Sequence, residues 1–132
     1  MNNEELINIA KKARGYALSP FSKFKVGSAL LTKEGKVFSG CNFEDPSCIG
    51  VTNICAERCA VVKALSEGYK EFDKIAVVGG IDELIFCTPC GVCRQYLNNI
   101  APNIKIICLD GDEIKEFSLA ELLPYGYSET FD

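Results

Sequence analysis

Four residues of this chain have the types and spacing to do chemistry together. Cys90 and Cys93 stand in a C-x-x-C pair, Cys55 is the natural third sulfur, and Glu57 follows it two residues later. Thiolates are soft, strong ligands for Zn²⁺, and a C-x-x-C pair can hold two corners of a tetrahedron. A structural zinc closes its fourth corner with protein, whereas a catalytic one leaves it to water. Glu57 would be tethered within reach of such a water and can carry its proton. The chain has no histidine. That removes imidazole ligands and the Cys–His and Ser–His nucleophile pairs, so acid–base work falls to a carboxylate, Tyr, Lys or Cys.

The same residues have plainer readings. A C-x-x-C pair also suits a structural zinc knuckle or a thiol–disulfide centre. Cys59 lies one helical turn after Cys55, so Cys55, Cys59, Cys90 and Cys93 can close a four-sulfur site with no room for water. Glu57 alone can be a first-turn acid favoured by a helix dipole. An open site has a further requirement. Three thiolates on Zn²⁺ leave a formal charge of −1, which weakens the metal as a Lewis acid. Helix N-termini beside the sulfurs, with Arg58 or Arg94 donating to them, would draw off that excess.

Composition narrows the classes. The chain has 132 residues, 48% of them hydrophobic, enough for one domain over residues 1–132 and too few for two. A net charge of −4 with no basic run argues against a nucleic-acid partner, since phosphate contacts need lysine and arginine. No apolar run reaches the ~20 residues of a membrane span. The N-terminus, Met1-Asn-Asn-Glu-Glu-Leu6, lacks a signal-peptide layout, so a cytoplasmic location is expected. In a reducing compartment, eight cysteines point to metal ligation and buried thiols, not to disulfides.

The elements that must position these residues read as a single α/β domain with helices packed on a central sheet. Asn2 and Glu5 form a capping box for a first helix running to about Ala17. Strands are expected over 24–32 and 37–42, joined by the turn Lys33-Glu34-Gly35-Lys36. Residues 43–52 read as a loop. Thr52 or Asn53 caps a nearly buried helix over 55–67. A strand over 74–80 and a short one at 83–86 come next. Thr88 caps a helix to about Asn99, with Pro89 at its first position. Strands at 104–109 and 113–117 and a short helix at 119–123 complete the chain.

Taken over nearly its whole length, the chain resembles the small, three-cysteine, homotetrameric cytidine deaminases. The resemblance is carried by Ser22-Lys-Phe-Lys-Val-Gly-Ser-Ala-Leu-Leu31, Gly40-Cys-Asn-Phe-Glu44, Cys55-Ala-Glu-Arg58, Pro89-Cys-Gly-Val-Cys-Arg-Gln95 and Glu121-Leu-Leu-Pro124, in order. Cys-x-Glu…Pro-Cys-x-x-Cys is also the three-cysteine form of the zinc-deaminase signature. The resemblance implies a mixed five-stranded sheet sandwiched by helices, one zinc per subunit on Cys55, Cys90 and Cys93, and Glu57 as proton shuttle. It implies a pyrimidine nucleoside substrate, with Asn42 and Glu44 on the ribose and Phe24 against the base. The Ala56 N–H would meet the ring carbonyl, and the Thr88 carbonyl the exocyclic amine. A homotetramer acting in pyrimidine salvage is implied as well.

Two stretches depart from the family pattern. The loop Glu44-Asp-Pro-Ser-Cys-Ile-Gly-Val-Thr-Asn-Ile-Cys55 is about two residues longer than usual and carries Cys48 near the place of a usual tyrosine. The tail Pro124-Tyr-Gly-Tyr127 is closer to blasticidin S deaminase, with Tyr127 in place of an aromatic that shields a neighbouring subunit's site. The rival readings are therefore a deaminase of a modified cytosine nucleoside and, from another class, a closed four-cysteine binding module.

Overall fold

Asn2 begins the first helix as its sequence demands: its side chain accepts from the Glu5 N–H at 2.8 Å, and Glu5 returns the bond to the Asn2 backbone. The computed structural model describes residues 1–47 and 50–129. Helix α1 spans Asn3–Arg14 and turns Leu6, Ile7, Ala10 and Ala13 inward. It stops at Gly15, earlier than the apolar spacing through Ala17 suggests.

Strands β1 (Lys25–Thr32) and β2 (Val37–Cys41) form the expected hairpin, with Gly35 at φ 92° in its turn. Helix α2 spans Ala56–Ser66, β3 Phe72–Gly80, α3 Gly91–Ile100, β4 Lys105–Asp110, β5 Glu113–Ser118 and α4 Leu119–Leu122. The strands form one mixed sheet in the order β2-β1-β3-β4-β5. Only β3 and β4 run parallel, and α3 lies on the crossover between them.

Side chains alternate across a strand, so each core strand serves both faces. Ala29, Leu31, Ala76 and Val78 pack with Leu6, Ile7 and Ala10 under α1. Leu30, Ile75, Val77 and Ile106 pack with Ala60, Val61, Ala64, Leu97 and Leu119 of α2, α3 and α4. Each fully buried leucine or isoleucine contributes roughly 1.5–3 kcal/mol. Two glycines let the helices settle this closely. A Cβ on Gly27 would stand 2.0 Å from the Ala10 carbonyl oxygen, and one on Gly40 would stand 2.5 Å from that of Ala56.

Four further sequence expectations need correction. Residues 83–86 form no strand; only a single bridge joins Ile85 to Gly79. Neither Thr52 nor Asn53 caps α2, because both side chains are bonded to Asp45. Cys55 stands at the cap position with extended backbone and no side-chain cap bond. Similarly Cys90, not Thr88, precedes α3, and Pro89 lies one residue before the cap. Finally, α2 is less enclosed than its apolar residues imply, since Val62 is half exposed.

Candidate active site

The N-termini of α2 and α3 meet on one side of the sheet and bring the two cysteine motifs together. Cys55 and Cys90 occupy the two cap positions and Cys93 the first turn of α3. Their three sulfurs all lie within 4.8 Å of one another, with Cys55 and Cys90 Sγ 3.7 Å apart. Zinc–sulfur bonds of about 2.3 Å at tetrahedral angles need sulfurs about 3.8 Å apart. The donor set therefore fits zinc in distance.

The electrostatics agree with that fit. Cys55 is pulled down to about 5, first by its hydrogen bond with Cys93 and then, against burial, by Arg58 and Cys90. Cys93 moves strongly upward, because it gives its proton to that bond and is buried beside like charges. Three thiols this close share protons among themselves; all three ionise only when a cation takes the protons' place.

Cys59 does not join the group, which is the one metal-competent cluster among the described residues. It lines a separate hollow with Cys41 and Lys63 beside the edge strand β2. Cys48 lies outside the described residues. The arginine on sulfur is Arg58, whose Nη2 donates to Cys55 Sγ at 3.4 Å. Arg94 does not do this, contrary to one sequence expectation. Its guanidinium donates to the Pro89 carbonyl (2.7 Å), the Leu122 carbonyl (2.6 Å) and Thr88 Oγ1 (2.8 Å).

Glu57 points inward beside the sulfurs and is only 4% exposed. Burial is the chief reason its carboxyl rises to about 7, and the charge on Cys55 adds to it. An acid present only to complement a helix dipole would sit at the surface. At pH 7 this one exchanges a proton readily, as a general acid–base group must.

Glu57, Cys55 and Cys90 open onto a cavity of about 270 Å³ whose other walls include Phe24, Val26, Asn42, Phe43, Glu44, Asn53, Ala56, Cys87 and Thr88. All five residues marked for substrate contact thus border one cavity. Phe24 stands beside Gly79, where a Cβ would come within 2.8 Å of its ring. Asn42 is already engaged at both ends: Oδ1 accepts from the Val26 N–H (2.8 Å), and Nδ2 donates to the Phe24 carbonyl (2.9 Å). A side-chain amide keeps one N–H and one lone pair free after two such bonds. Glu44 Oε1 accepts from the Phe21 and Ser22 N–H groups. With the Ser22 hydroxyl the largest cause, the Glu44 carboxyl is held below its ordinary range. Ala56 is the first residue of α2, so its N–H has no partner within the helix.

Sequence reasoning gave no role to Cys87, on the cavity wall, or to Asp45, in the loop beside it. Cys87 lines the cavity, with its thiol pushed up to about 11 by burial. Asp45 closes the lengthened loop. It accepts from the Ser47 N–H (2.7 Å), the Ser47 hydroxyl (2.6 Å) and the Thr52 hydroxyl, while its own N–H donates to Asn53 (2.7 Å). An Asp followed two residues later by Ser is the signal for such an Asx turn. Tyr127 is 68% exposed, and its carbonyl accepts from Gln95 and Asn98 of α3.

Residues 1–109 match the family model described as the cytidine and deoxycytidylate deaminase zinc-binding region. A cytidine deaminase of Sporosarcina psychrophila is 43% identical over 98% of this chain and 93% of its own length. A blasticidin-S deaminase of Bacillus cereus is 32% identical over 81% of this chain and 79% of its own. The crystal structure of cytidine deaminase from Burkholderia pseudomallei superposes with a TM-score of 0.86 at 40% identity, covering 96% of this chain and all of the other.

Proposed function

Because the chain belongs to the cytidine and deoxycytidylate deaminase family, we propose that it hydrolyses the exocyclic amine of cytidine and 2′-deoxycytidine, giving the uridine form and ammonia. Zinc held by Cys55, Cys90 and Cys93 supplies Lewis acidity, which makes water nucleophilic near neutral pH. The chain's own residues do the rest. Glu57 takes the first water proton on its carboxylate and delivers it to ring N3 as oxygen bonds to C4. It then takes the second proton from the new C4 hydroxyl and hands it to the amine as the C4–N bond breaks. Phe24 packs against the flat ring. The free lone pair and N–H of Asn42, with the second oxygen of Glu44, bind the ribose hydroxyls. The Ala56 N–H donates to the ring carbonyl, and the Thr88 carbonyl accepts from the exocyclic amine. Arg58 offsets the negative charge of the thiolate set.

One observation carries this reading: a buried carboxyl poised near pH 7 stands beside three zinc-spaced sulfurs in a nucleoside-sized cavity. The test is cytidine turnover by the zinc-loaded protein, with Glu57→Gln alongside. Glu57→Gln is expected to keep zinc and lose nearly all turnover; full activity in that variant would remove Glu57 from the mechanism.

A second reading, a blasticidin S deaminase, is favoured by the Pro124-Tyr-Gly-Tyr127 tail. Parallel turnover of cytidine, deoxycytidine and blasticidin S decides between them. Self-association as a homotetramer is supported by the exposed Leu18, Phe43 and Ile54, neighbours through backbone bridges at the cavity mouth. In it, Tyr127 would cover a neighbouring subunit's site; light scattering gives the mass. A reducing cytoplasmic setting is supported by the use of Cys55, Cys90 and Cys93 as a metal-spaced thiol group, and pyrimidine salvage is the role that goes with it.

A further inference from the structure

We propose that Arg94 is a positioning residue that sets the Thr88 carbonyl from the C-terminal helix. Residues 86–90 belong to no helix or strand, so no ladder of backbone bonds holds Thr88 where it borders the cavity. Pro89 has no N–H to contribute. It is buried, and a buried carbonyl needs a donor. Arg94 supplies one, with Nε 2.7 Å from the Pro89 oxygen.

The same planar group donates through Nη2 to Thr88 Oγ1 at 2.8 Å and through Nη1 to the Leu122 oxygen at 2.6 Å. A guanidinium offers its N–H groups in a rigid fork. Three bonds on one fork thus hold both flanks of the Thr88–Pro89 peptide, the Thr88 hydroxyl and the Pro89 carbonyl, relative to α4. That helix is itself anchored, by the Ser118–Glu121 capping box and by Leu119, which is 1% exposed in the core. All three acceptors are neutral oxygens and none is sulfur, so Arg94 acts through Thr88 and not through the charge of the metal site. A lysine has one ammonium and cannot hold three separated acceptors in a plane.

This inference rests on the reading that the Thr88 carbonyl receives the substrate's exocyclic amine. The test compares wild type, Arg94→Lys, Thr88→Val and the double variant, each zinc-loaded, with two ligands. One is cytidine. The other is a pyrimidin-2-one riboside, which lacks the amine. A shift of the carbonyl by about 1 Å costs about a hundredfold in rate. Arg94→Lys is therefore expected to lose ten- to a hundredfold in kcat/KM for cytidine while keeping its zinc and its affinity for the amine-free riboside.

Thr88→Val, which removes only the hydroxyl acceptor, should lose less in the same direction. The double variant should be no worse than Arg94→Lys. Unchanged cytidine turnover in Arg94→Lys would overturn the proposal, as would equal loss for both ligands or additive losses in the double variant. If Arg94→Lys fails to fold, Thr88→Val carries the test alone: it must weaken cytidine turnover and spare the amine-free riboside. A wild-type protein that binds zinc yet leaves cytidine untouched would instead refute the functional reading itself.

Discussion

Adding one methyl group at Gly40 tests how the fold holds the site. A Cβ there would meet the Ala56 carbonyl oxygen at 2.5 Å, the Ala60 nitrogen at 2.7 Å and the Cys59 Cβ at 2.9 Å. Ordinary contact begins at 3.4 Å, so α2 must withdraw by about 0.9 Å from β2. Backbone atoms and a Cβ cannot swing aside as a flexible side chain can. The helix therefore moves as a body, displacing Cys55 and Glu57 relative to Cys90 and Cys93 at the start of α3. At its largest, with the shift lying along the Cys55–Cys90 line, the 3.7 Å sulfur gap would open to about 4.6 Å, the limit that two 2.3 Å bonds can span when straight. The expected costs for Gly40→Ala are about 1–3 kcal/mol of stability, a ten- to hundredfold loss of zinc affinity and about a hundredfold in kcat/KM. Urea unfolding, zinc competition against a chromogenic chelator, and loss of cytidine absorbance measure the three. Gly50→Ala, whose Cβ meets nothing within 4 Å, is the control. Wild-type zinc affinity and turnover in Gly40→Ala would refute the claim that α2 seats the site through this contact.

Three further outcomes follow from the geometry. Cys90→Ala should lose zinc and turnover together, read by metal analysis and activity; an active, metal-free variant would end the zinc account. In the metal-free protein, burial raises Glu57 to about 7 from 4.5, so the native state holds this proton more tightly than the unfolded state. Its stabilising effect is full below pH 4.5 and lost as pH rises through 7, a change on the order of 3 kcal/mol. Metal-free Glu57→Gln should lack that slope in urea unfolding between pH 5 and pH 8; an unchanged slope would mean that Glu57 is not its source. Asp45→Ala releases both Ser47 and Thr52 from one carboxylate and should raise KM for cytidine several-fold with kcat retained; steady-state kinetics reads this split.

The sequence by itself determined whatever rests on neighbours along the chain. Cys55 and Glu57 share one turn, as do Cys90 and Cys93, so their chemistry is legible in their spacing. The capping box at Asn2 and the Lys33–Lys36 turn are local for the same reason. Only the tertiary structure decided matters that depend on what packs alongside. Arg58 and Arg94 each follow a ligand cysteine directly or by three residues, yet only Arg58 reaches sulfur, because the Thr88 hydroxyl, the Pro89 carbonyl and the end of α4 capture Arg94. Thr52 and Asn53 are good helix caps in isolation, but Asp45 claims both. Cys59 has the spacing of a fourth ligand, but the site is built between α2 and α3, and Cys59 faces β2. The buried state of Glu57, which separates a proton carrier from a surface acid, comes from the same meeting of helices. Spacing along a chain sets which groups can act together; packing from distant segments sets which of them do.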